Sequence, residues 1–167
     1  MKLLRQSVFC GGLIVAIAAV NLTPAEVTNA GDESPFDSLL GSWAGSGEIV
    51  LQGGLAEIIK CNAYYTGGGR ELRLAVRCAS PSHKVEIRSG LTRMGDEISG
   101  NWEERTYNAA GSVTGRALGN QLSFSISNGG FSGSMSVSYS SSEQSVSIST
   151  EGINLKSVNM TLSRIQE

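Results

Sequence analysis

The chain carries one histidine, His83, in the short segment Ser80-Pro81-Ser82-His83 between two alternating apolar runs. A hydrolytic histidine needs a nucleophile and an orienting carboxylate, each held by its ring. Serines abound, but no Gly-x-Ser-x-Gly elbow sets one between a strand and a helix. His83 therefore reads as a surface histidine. Glu103 and Glu104 are sequence neighbours, and neighbours on a strand point to opposite faces. They do not form an acid pair flanking one bond, as glycoside hydrolysis requires. The run Gly67-Gly68-Gly69 precedes no helical pattern, so it lacks the helix N-terminus of a phosphate-cradling loop. No catalytic residue, metal site or cofactor is assigned, and the reading is of a protein that is not an enzyme.

The cysteines have a plainer chemistry. Cys10 lies in the leader, which leaves Cys61 and Cys78. In an oxidising compartment an even pair reads first as a disulfide. Closing a loop of this length contributes about 3 kcal/mol in the chain-entropy model. The compartment follows from the N-terminus. Lys2 and Arg5 precede Val8–Val20, a thirteen-residue uncharged apolar run, and small-residue sites follow at Thr23-Pro24-Ala25 and Thr28-Asn29-Ala30. The run is too short to span a bilayer and suits a secretory signal peptide. Residues 1–30 are read as that signal, with cleavage after Ala30. Cys10 is no lipid anchor, because Phe9 precedes it and the apolar run follows it. The mature protein, periplasmic or extracellular, then has no integral membrane span.

The mature part keeps 14 acidic and 11 basic residues. That mild acidity offers no footprint for nucleic acid. At 167 residues the chain has room for one domain.

From residue 41 onward, apolar residues recur at every second position, the mark of half-buried strands. Leu72, Leu74, Val76 and Cys78 share one face, and Glu71, Arg73, Ala75 and Arg77 the other. A glycine turn at 66–69 folds this run against Ile59, Cys61, Ala63 and Tyr65, which sets the two cysteines nearly opposite each other. Turn signals recur at Gly95-Asp96, Asn108–Gly111, Gly119-Asn120, Asn128–Gly130, Ser140–Ser142 and Glu151-Gly152. The spacing predicts an all-β fold, an antiparallel up-and-down meander of about ten short strands closed into a barrel over 41–167. Residues 31–40 form a flexible lead-in with a single helical turn over Pro35–Leu40. Closure removes the two edges an open sheet would expose. Serines fill the alternate face from 123 to 149 and read as a solvated outer wall, unlike the apolar band of a membrane barrel.

Gly41-Ser42-Trp43 on the first strand and Arg164 on the last resemble the calycin superfamily, which includes lipocalins and fatty-acid-binding proteins. There a Gly-x-Trp packs its indole against a basic side chain of the last strand, near the closed end of the barrel. The run Leu40–Glu48 is similar to the opening of nitrobindin-type ten-stranded barrels. The resemblance implies structural roles for Gly41, Trp43 and Arg164. It does not carry over haem binding, since residues 84–167 contain no histidine.

Tyr65, Trp102, Glu104, Phe124, Met135 and Tyr139 face inward by parity and are the candidate ligand-binding residues. An inward glutamate needs water, a partner or a ligand. Arg93 has matching parity to be that partner, and the simpler expectation is that both side chains are solvated at the rim. Gly45, Gly47, Ala63, Gly100, Gly115 and Ala117 leave room for a cavity, or else allow the strands to bend sharply. The function expected is the binding of a small, mostly apolar ligand. The alternative is an envelope protein-interaction module or a protease-inhibitor-like protein that meets a protein partner through surface loops.

Overall fold

Inward apolar and outward polar side chains alternate along the strands of the computed structural model, which describes residues 34–166. The signal-peptide reading lies outside the described residues. Pro35–Leu40 holds one 3-10 turn, Asp37–Leu39. Ten strands follow: β1 Gly41–Leu51, β2 Ala56–Gly68, β3 Glu71–Ala79, β4 Lys84–Met94, β5 Glu97–Glu104, β6 Ala109–Leu118, β7 Gln121–Ser127, β8 Ser132–Tyr139, β9 Glu143–Glu151 and β10 Leu155–Arg164. Each pairs antiparallel with the next, and β10 pairs with β1, so the sheet closes into a barrel without an edge. This is the all-β meander expected from the spacing. The fifth turn is displaced from its expected place. It spans Arg105–Asn108, and Asn108 alone takes the left-handed conformation, at φ 55°, while Ala109 already begins β6. Asparagine tolerates that conformation better than most side chains.

Register follows the alternation. Cys61 sits directly opposite Cys78 across the β2–β3 ladder, and the two are disulfide-bonded with their Cα atoms 4.1 Å apart. Slipping that ladder by one residue would separate the sulfurs and turn each strand's apolar face outward. The serines of β7, β8 and β9 are exposed on the outer wall.

The small residues on the inner face settle between cavity and curvature. A Cβ on Gly45 would lie 1.9 Å from the Thr161 carbonyl oxygen, and one on Gly100 would lie 2.1 Å from that of Gly90. Gly47 and Gly115 are blocked in the same way by Asn159 and Ser123. The neighbouring backbone therefore occupies the space these glycines leave. Their absent side chains let the strands bend.

One end of the barrel is sealed. Phe36 and Trp43 have no exposed surface, and Leu39 has almost none. The Trp43 Nε1–H donates to the Leu39 carbonyl at 2.7 Å, which fastens the 3-10 turn to β1. Arg164 stacks on the same indole, 4.2 Å from the ring centroid. Its guanidinium donates to the carbonyls of Leu40, of Ser38 at 2.6 Å and of Ser141 at 2.6 Å. The expected pairing of Trp43 with Arg164 is therefore present, and the arginine also satisfies the carbonyls that the short turn leaves without partners.

Candidate ligand-binding site

Part of the inner wall is less deeply buried than the core around Trp43. Trp102, Ile126, Met135, Ile148, Leu155 and Met160 face inward but are only partly buried. Trp102 packs against Phe131 of the β7–β8 turn, with ring centroids 5.4 Å apart and planes inclined by 52°. The Trp102 Nε1–H is buried without a hydrogen-bond partner among the described residues. Such an orphan donor costs on the order of 1–3 kcal/mol.

The six residues singled out by parity do not form one cluster. Tyr65, Phe124 and Tyr139 are buried in the packed core, whereas Trp102 and Met135 belong to the partly exposed wall. The Tyr65 hydroxyl donates to Gln144 Oε1 at 3.2 Å, and burial pushes its pKa up to about 12. The Tyr139 hydroxyl donates to the Gly119 carbonyl at 3.2 Å, and burial raises its pKa, against the field of Arg93.

Glu104 is a correction to the expectation of a solvated rim pair. It is neither solvated nor paired with Arg93. Its carboxylate accepts the backbone N–H groups of Glu86 and Thr106, each at 3.0 Å, and that of Tyr107 at 2.6 Å. It thus fastens the β5–β6 turn to β4. Burial works to raise its pKa, but the backbone bonds outweigh it and the carboxyl is held below its ordinary range. Arg93 lies opposite Ile98, beside the β4–β5 turn, and Glu104 lies opposite Ile87, toward the other end of the barrel. Matching parity placed both on the inner face but carried no information about the end.

A second rim carboxylate went unnoticed. Glu57 accepts the hydroxyl of Ser80 at 2.6 Å, the hydroxyl of Ser82, and the Ser82 N–H at 3.4 Å, so it ties the β3–β4 loop to β2. Hydrogen bonds from Ser80 and then Ser82 lower its pKa. Its alternation with Ile59, Cys61 and Ala63 was the available signal. His83 Nδ1 lies 2.6 Å from Ser82 Oγ and 3.8 Å from Glu57 Oε2. Serine and carboxylate thus meet the same ring nitrogen, which is not the two-sided relay of a hydrolytic triad. Gln144 was also missed. It is fully buried, and its Nε2 is without a partner among the described residues.

The outer wall has concavities of its own. One, of about 690 Å³, is bordered by Tyr64, Arg73, Arg88, Asn101 and Glu103. Another, of about 660 Å³, crosses the serine strands between Arg116 and Ser46.

No protein-family model matches the chain, and no curated protein matches it by sequence. Solved structures do share its architecture. Rv2717c from M. tuberculosis superposes with a TM-score of 0.65 at 14% identity, over 81% of this chain and all of that one (100%). The S-type phycobiliprotein lyase CPES from Guillardia theta superposes with a TM-score of 0.59 at 11% identity, over 79% of this chain and 91% of that one. At such identities the likeness defines the fold alone, a closed antiparallel β-barrel.

Proposed function

We propose that this protein is an exported, non-enzymatic barrel that takes a small, mostly apolar ligand against the inner wall formed by Trp102, Ile126, Met135 and Ile148. The observation that carries the reading is the contrast within one inner face. Phe36, Leu39 and Trp43 are buried, while Trp102, Ile126, Met135 and Ile148 on the inner face stay partly exposed. Exposed inward apolar surface gains free energy when a ligand covers it, about 25 cal/mol per Å². A phycobiliprotein lyase of the same fold is in keeping with a barrel that handles small molecules. Export is supported by the leader sequence and by the Cys61–Cys78 disulfide, which suits an oxidising compartment.

The neutral fluorophore 1-aminoanthracene tests this reading. It should bind saturably, one per barrel, and quench Trp102. Met135→Trp, which fills the wall, should abolish binding while the fold persists. Non-saturable binding, or binding indifferent to the added bulk, would contradict the proposal. A second reading, a protein-interaction module, draws on the outer concavity beside Tyr64, Arg73 and Arg88.

A further inference from the structure

Gly90, in the middle of β4, differs from every other strand glycine among the described residues. The others either take a left-handed φ or would drive a Cβ into the backbone of a neighbouring strand. A Cβ on Gly90 would meet nothing within 4 Å, and its φ lies outside the left-handed region. β4 pairs with β3 and β5 through it without a change of register, so it marks no bulge. The close approach of β4 to β5 is already provided for by Gly100, whose missing side chain makes room for the Gly90 carbonyl. A glycine inside a strand gives up packing and conformational entropy. Where neither bulge nor crowding calls for it, it marks a place where another molecule comes close to the backbone.

Gly90 faces outward, because its neighbour Leu91 is buried in the core. It lies in the outer concavity of about 690 Å³. Arg73 of β3 stands directly opposite it on one side and Asn101 of β5 on the other. Paired strands are about 4.8 Å apart, so these two residues face each other across roughly 10 Å with only a glycine between them. The adjoining outward row carries Tyr64, Arg88 and Glu103, with Ala75 low between the tyrosine and Arg88. Tyr64 is 54% exposed. The side chains of Tyr64, Asn101 and Glu103 have no hydrogen-bond or ion-pair partner among the described residues. Arg73 reaches Glu71 alone, at 3.8 Å, whereas Arg88 is held by Glu86 at 3.0 and 3.2 Å.

We infer that this concavity binds a neutral glycan, with one sugar ring seated on Gly90 between Arg73 and Asn101 and a neighbouring ring against the face of Tyr64. Charges of both signs border the space, so a ligand of either net charge is repelled by Arg73 and Arg88 or by Glu103. Sugar hydroxyls donate and accept alike, and can therefore serve guanidinium, amide and carboxylate at once. The apolar face of a tyrosine ring suits the C–H face of a sugar. A ring lying on bare backbone needs the space that a side chain at position 90 would take. The inference goes beyond the carrier reading, which concerns the inner face, and it puts a glycan where the second reading puts a protein.

Titration with maltotetraose, cellotetraose and chitotetraose, followed by the protein's backbone amide NMR shifts, tests it. At least one of the three should bind saturably, with shifts centred on Arg73, Gly90 and Asn101. Gly90→Val fills the space without meeting a neighbour. It should keep or raise the melting temperature and weaken glycan binding by about tenfold or more. Asn101→Ala should weaken binding in the same direction, while Ser125→Val, elsewhere on the outer wall, should bind as the parent does. No saturable shift with any of the three, shifts centred elsewhere, or an affinity indifferent to Gly90→Val would overturn the inference. A fall in the melting temperature of Gly90→Val would also overturn it, by assigning the glycine to the strand's own geometry. So would a protein complex, without glycan binding, that Gly90→Val abolishes. Gly90→Val should still take up 1-aminoanthracene and Met135→Trp should still bind the glycan, so the carrier reading and this one fail separately.

Discussion

Arg164 lies across the indole of Trp43, 4.2 Å from the ring centroid, while its guanidinium ties β10 to the carbonyls of Ser38 and Leu40. One side chain thus closes the first strand against the last and holds the 3-10 turn over the barrel end. Trp43→Ala should destabilise the protein by about 3–5 kcal/mol, the range for truncating a buried aromatic. Chemical denaturation reads this directly. A loss below about 1 kcal/mol would mean that the sealed end is not a keystone of the fold.

Arg164→Lys separates charge from geometry. Lysine keeps the cation but lacks the planar fork that reaches several carbonyls while stacking on the ring. A drop in melting temperature approaching that of Arg164→Ala is expected. Full retention of stability by the lysine variant would show that charge alone suffices.

The disulfide joins strands already in register, so its removal should leave the topology intact. Cys61→Ala with Cys78→Ala should cost about 2–4 kcal/mol. Mass spectrometry after alkylation without reductant should find Cys61 and Cys78 unlabelled in the protein purified from its own host. Labelling of either cysteine in the native protein would contradict the bond.

Two rim carboxylates make stability depend on acid. Glu57 and Glu104 both have pKa values held below their ordinary 4.5, by hydrogen bonds from Ser80 and Ser82 in one case and by backbone N–H groups outweighing burial in the other. A carboxyl with a lowered folded pKa adds stability that is fully present above the unfolded value. That stability is lost as pH falls through the folded value. Melting temperature should therefore decline as pH drops below about 4.5, and Glu57→Gln with Glu104→Gln should flatten the decline. An acid profile unchanged by both substitutions would assign the loss to other groups.

Gly45→Ala tests whether the inner glycines serve curvature. Its Cβ would meet the Thr161 carbonyl oxygen at 1.9 Å, so β1 and β10 would have to part. Overpacking of this kind costs about 1–3 kcal/mol. A neutral substitution, measured by thermal unfolding, would show that space remains there after all.

Much of the architecture was legible because alternation specifies which face each side chain takes. The strand pattern, the glycine turn at 66–69 and the cysteine register follow from local periodicity combined with closure, whereas the Trp43–Arg164 pairing was implied by the resemblance to calycin barrels. The candidate site was less legible. Parity puts Tyr65, Phe124 and Tyr139 on the inner face with Trp102 and Met135, yet says nothing of depth, and the first three lie in packed core. Parity also matched Glu104 with Arg93, although the two lie toward opposite ends. The partners Glu104 takes are backbone N–H groups of a turn, which no side-chain pattern reveals. The glycines were ambiguous for a related reason. A missing side chain reads the same in sequence whether ligand or backbone fills its place.

The central claim, that the barrel carries a small ligand, is met most directly by native mass spectrometry. The protein, purified from its own host, is weighed intact and again after denaturation. A reproducible added mass that disappears on denaturation, and that is reduced in Met135→Trp, is the result expected. A bare mass in both states, together with no saturable uptake of 1-aminoanthracene, would contradict the carrier reading.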